Sequence, residues 1–64
     1  MFRPGRHNPR TVYWSDVSGP DRFVAVAMTP EAAVGMAELL NMAPAMATPA
    51  FLATLPTVPR REET

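Results

Sequence analysis

The chain has 64 residues, with six arginines balanced by six acids, no lysine, no cysteine and a single histidine, His7. A chain this short buries only about 60% of the surface that its unfolded form exposes, so it has room for one small core. Disulfides are excluded, a structural zinc site has no ligand set, and zero net charge gives no bulk attraction to nucleic acid or an anionic membrane. No cofactor-binding signature is present either. Stability beyond that small core must come from close packing, self-association or a partner.

Residues 1–10, MFRPGRHNPR, carry two prolines and a glycine and show no sustained periodicity. Arg3, Arg6 and Arg10 all precede the first acid, Asp16, so this segment reads as a basic N-terminal arm. Asn8-Pro9 is a turn signal within it. The apolar run of a signal peptide is missing, and prolines at 44, 49, 56 and 59 break up any stretch approaching the ~20 residues of a membrane span. A cytoplasmic protein is the default expectation.

Residues 11–16, TVYWSD, are rich in β-branched and aromatic types and predict a strand. Alternation puts Val12 and Trp14 on one face and Thr11, Tyr13 and Ser15 on the other. Residues 17–21, VSGPD, are turn formers of hairpin-loop length. Residues 22–28 predict a second strand, with Val24, Val26 and Met28 on one face and Phe23, Ala25 and Ala27 on the other. A tight connection requires the two strands to be antiparallel.

Thr29-Pro30 marks a helix start. The Thr29 hydroxyl can accept from a backbone N–H two or three residues on, Pro30 loses no bond at the first helical position, and Glu31 meets the positive end of the dipole. At 100° per residue, Glu31, Gly35, Glu38 and Met42 form one stripe, opposed by Ala33, Met36, Ala37 and Leu40 with Ala32, Leu39 and Ala43 at their flanks. Asn41 suits a left-handed cap and Pro44 stops the helix, which is predicted over residues 30–42. Thr48-Pro49 repeats the start signal on a smaller scale, and Phe51, Leu52 and Leu55 follow on spacings that one short docked helix would bring together. Residues 59–64, PRREET, read as a disordered polar tail.

Little here carries chemistry. A triad of Ser15, His7 and Asp16 has no supporting motif, and Glu31 with Glu38 is explained as a solvated helix stripe. No glycine-rich phosphate loop exists, and the expectation is that the protein is not an enzyme. Two binding readings remain. Met28, Met36, Met42 and Met46 fall within one 19-residue window, and methionine adapts to irregular surfaces. The hairpin also leaves a sheet edge open for strand addition. A protein partner or a second copy of the chain would then meet Tyr13, Phe23, Met36, Met42, Phe51 and Leu55. The alternative is nucleic-acid binding by Arg3, Arg6 and Arg10 with Trp14 and Tyr13 as stacking surfaces, against which stand the zero net charge and the acidic helix stripe.

At GRHNPRTVYW (residues 5–14) and VAVAMTPEAAVGMAELLN (residues 24–41) the chain resembles a recurring type of very small protein encoded by actinobacteria and their bacteriophages. These proteins run from an Asn-Pro-Arg arm into a Val/Ile-Tyr strand, then a hairpin, then a Thr-Pro-Glu helix ending in Leu-Asn. The resemblance implies a ββα unit, a phage or prophage origin and the host-cell cytoplasm, and it brings no catalytic residues. The expected architecture is α+β: a basic arm over 1–10, a two-stranded antiparallel hairpin packed on one helix over 11–43, and a proline-rich apolar segment over 44–58 with a short C-terminal helix.

Overall fold

A computed structural model describes residues 1–15 and 19–58, the side chains of Pro44 and Met46 excepted. The predicted polar tail at 59–64, residues 17 and 18 of the predicted hairpin loop, Asp16 of the predicted first strand and of the weighed triad, and the Met46 side chain lie outside the described residues. Strands β1 (Phe2–Pro4), β2 (Thr11–Trp14) and β3 (Arg22–Val26) form an antiparallel sheet in the order β1-β2-β3. Helix α1 (Pro30–Asn41) follows, then a 3-10 turn (Pro44–Ala47) and a short helix α2 (Pro49–Leu52). The α+β class matches the sequence reading.

The sheet has three strands where the sequence predicts two. What reads as an arm begins as a strand, with Phe2 opposite Trp14, Arg3 opposite Tyr13 and Pro4 opposite Val12. The prolines punctuate only the loop that follows, and Pro4 is tolerated because β1 is an edge strand. Phe2 supplies the burial: it lies in the core with Val12, Ala27, Ala33 and Ala37. Its ring also meets Trp14 edge-on, with centroids 4.9 Å apart and an interplanar angle of 65°, a geometry that aromatic pairs favour.

Helix α1 is capped as its sequence dictates. Thr29 Oγ1 accepts from the Ala32 N–H at 3.1 Å, and Pro30 opens the first turn. The buried side is the predicted one, with Ala33 and Ala37 enclosed and Met36 and Leu40 packed beside them. Its C-terminus is a correction. Met42 caps the helix in right-handed geometry, and no described non-glycine residue has a positive φ. Asn41 is used differently: its Oδ1 accepts from the Phe2 N–H and its Nδ2 donates to the Phe2 carbonyl, both at 2.8 Å.

A second correction concerns β3. The register passes from the pair Tyr13–Phe23 to the pair Val12–Ala25, so Val24 is an extra residue opposite no partner. This bulge reverses the alternation that follows it. Val24 packs on the core, but Val26 pairs with Thr11 and is exposed, as is Met28, and Ala27 takes the buried place. A strict period of two instead keeps Val26 and Met28 on the face of Val24, and Ala27 on that of Phe23.

The carboxy segment also departs in detail. Thr48 Oγ1 accepts from the Phe51 N–H at 3.4 Å, and α2 forms, but it ends at Leu52, so Leu55 lies in the turn beyond. Phe51 and Leu52 pack on the same core as α1 rather than covering the opposite sheet face. Beyond the turn, Thr57 bridges Arg22 in antiparallel fashion. The Phe23 N–H donates to the Pro56 carbonyl at 2.8 Å and the Val58 N–H to the Asp21 carbonyl at 2.9 Å. The sheet edge read as open is therefore occupied at Asp21 and Phe23.

Removing the Asn41 amide tests the clamp on β1. Asn41→Ala should lower unfolding free energy by about 1–2 kcal/mol, since two hydrogen bonds are lost and a backbone donor and acceptor lose their partners. Urea denaturation that shows no change would exclude this role.

Candidate functional site

The loop between β1 and β2 is built by a few local bonds. The Thr11 N–H donates to the Asn8 carbonyl at 2.9 Å, closing a turn with Pro9 at its second position, and the Gly5 N–H donates to the Thr11 carbonyl at 2.9 Å. Asn8 Nδ2 reaches the Tyr13 hydroxyl at 3.4 Å. Arg10 clasps Ala27 twice. Its carbonyl accepts from the Ala27 N–H at 2.7 Å, and its Nε donates to the Ala27 carbonyl at 3.0 Å. Between this loop and the start of α1 lies an open pocket of about 330 Å³, lined by His7, Asn8, Pro9, Arg10, Thr11, Val26 and Pro30.

The three amino-terminal arginines have separate fates. Arg3 is 17% exposed and its Nη2 lies 2.8 Å from Oδ2 of Asp21, a carboxylate with no exposure at all. Arg6 and Arg10 are exposed. Trp14 is half-buried against Phe2, so its ring is partly used in the core. Tyr13 is buried, so the five residues of the nucleic-acid reading are divided between the interior and the loop.

The residues suggested for protein contact are divided as well. Tyr13 is buried, while Met36 and Phe51 pack against the core, and Phe23 and Leu55 are half-buried. Register places Arg3 beside Tyr13 and Tyr13 beside Phe23, so the second sheet face carries the Arg3–Asp21 pair and the Asn8–Tyr13 bond. Met42 alone of the six is fully displayed, at 77% exposure. Leu39, which sequence reasoning placed at the flank of the buried side, joins it at 69%. Their three-residue spacing puts them on adjacent turns of one helix surface. Gly35, four residues before Leu39, adds no side chain there, and a Cβ built on it meets nothing within 4 Å.

Among the described residues, no group of three or more His, Asp or Glu side chains could hold a metal ion, and no helix is long and apolar enough to cross a membrane. Compared with protein-family models, curated proteins and solved structures, the chain matches none.

The enclosed ion pair gives a test of what Arg3 does. Arg3→Met takes the guanidinium away from a buried carboxylate and should destabilise the fold by about 3 kcal/mol. The double variant Arg3→Met/Asp21→Leu should be less destabilised than Arg3→Met alone. Thermal melts reading equal losses for the two variants would show that the pair is not coupled.

Proposed function

We propose that this is a small non-enzymatic binding protein that engages a protein partner, or a second copy of itself, through the outer surface of α1. The carrying observation is the exposure of Leu39 and Met42 on successive turns beside side-chain-free Gly35. Paired apolar side chains in water gain from being covered, at about 25 cal/mol per Å² of apolar surface. The glycine permits a close approach, and methionine adjusts to an imperfectly matched surface. Glu31 and Glu38, exposed on the same helix, give the patch an acidic border. The resemblance of residues 5–14 and 24–41 to small actinobacterial and phage proteins supports a phage or prophage accessory factor acting in the host cytoplasm.

The nucleic-acid alternative rests on fewer groups. Arg6 and Arg10 are exposed, but Arg3 is engaged with Asp21 and Trp14 with Phe2.

The test is a pull-down from an actinobacterial lysate together with light scattering of the purified chain. The expected result is a captured protein or a dimer mass, lost in Leu39→Asp and in Met42→Asp. Both variants should keep their stability within about 0.5 kcal/mol, as exposed positions do. A strictly monomeric chain that captures nothing, or capture indifferent to both substitutions, would overturn the reading.

A further inference from the structure

The pocket beside the β1–β2 loop lies apart from the α1 surface and is not used by it. Its lining combines apolar Val26, Pro9 and Pro30 with polar His7, Asn8, Arg10 and Thr11, and no carboxylate is among them. Arg10 is the informative group. Its Nε is committed to the Ala27 carbonyl at 3.0 Å, while its two Nη nitrogens have no hydrogen-bond partner among the described residues. The bond at Nε restrains the guanidinium beside the pocket that Arg10 lines and leaves its two Nη nitrogens for a ligand to use as a fork.

Such a fork matches the two oxygens of a carboxylate. The Arg10 backbone is pinned to Ala27 as well, at 2.7 Å, so little freedom remains to be lost on binding. A phosphate carries up to about two charges and three acceptor oxygens, which one fixed guanidinium meets only in part. The helix end adds no donor at Pro30, and Glu31 follows it, so the cationic character comes from side chains and not from α1. The volume lies at the low end of ligand pockets, about 300–1,000 Å³, which suits a small occupant.

We propose that this pocket binds the carboxylate of a small ligand bearing a short branched apolar group, with Arg10 Nη1 and Nη2 donating to its oxygens and the apolar group against Val26, Pro9 and Pro30. A free branched-chain acid and the carboxyl terminus of a polypeptide share this chemistry.

Nitrogen-15 NMR titrations of the full chain at matched ionic strength distinguish the cases, using isobutyrate, N-acetylvaline, N-acetylvaline amide and inorganic phosphate. Saturable shifts are expected around the 7–11 loop, Val26 and Glu31. N-acetylvaline should bind at least about tenfold more tightly than its amide, as hydrogen bonds to a charged group imply. Equal binding of isobutyrate identifies free acids as the source, and preference for N-acetylvaline identifies a chain terminus. Arg10→Ala should weaken binding by a similar factor. Val26→Glu, which leaves both Arg10–Ala27 bonds in place and puts a competing carboxylate in the pocket, should abolish it. Absence of saturable shifts, an amide that binds as well as the acid, tighter binding of phosphate, or binding unchanged in both variants would overturn the assignment.

Discussion

A carboxamide presents one donor and one acceptor side by side, the same pair that a neighbouring strand offers. Asn41 uses them on the N–H and carbonyl of Phe2, and the placement of β1 depends on that pairing. A three-residue strand ending in proline makes few ladder bonds, so it needs a further anchor. Because Asn41 is the last residue of α1, the bonds that hold the strand also fix the helix over it, and α1 packs mainly on β1 and β2. Buried Ala33 and Ala37, four residues apart, leave space for Phe2 between helix and sheet. Burial of that ring contributes about 1.5–3 kcal/mol, a large share for a chain of this size.

The same clamp answers the hazard of a free strand edge. At Phe2 the outer edge of β1 meets a side chain instead of water, and at Asp21 and Phe23 the outer edge of β3 meets Pro56 and Val58. Both ends of the sheet are thereby blunted where they are flat enough to recruit another strand. Association by strand addition is disfavoured, and the exposed apolar side chains of α1 become the more accessible route to a partner. On the proposed reading the helix, not the sheet, carries that surface.

Much of this was legible from local grammar. Thr29-Pro30-Glu31 and the alternation of alanine, methionine and leucine give α1 and its buried side, because cap chemistry and a period of 3.6 residues are both local. Thr48-Pro49 gives α2 for the same reason. Phe2–Pro4 escaped because three residues contain no period, and the strand exists only through Trp14, Val12 and Asn41, each distant in sequence. The bulge at Val24 escaped because nothing in RFVAVAM distinguishes a slipped alternation from a regular one. It inverted the fates of Val26 and Ala27, and so it determined which side chain lines the pocket. Leu39 was misjudged by position at the edge of the apolar arc, where a neighbouring element decides burial.

The arginines show why composition alone could not separate the roles of like side chains. Arg3, Arg6 and Arg10 are equivalent in a charge count, yet one is enclosed with a buried carboxylate, one is exposed in the loop, and one is held at Nε by Ala27 and lines a pocket. Neutral net charge therefore coexists with a locally cationic recess. That recess adjoins Pro30 at the start of α1, whereas Leu39 and Met42 stand near its end. Leu39 and Met42 lie nine and twelve residues beyond Pro30, roughly 14–18 Å along the axis at 1.5 Å per residue. A partner seated on the far turns need not cover the pocket, so the two surfaces can be occupied independently. Any coupling between them would have to pass through α1 and the Ala27 junction that Arg10 clasps.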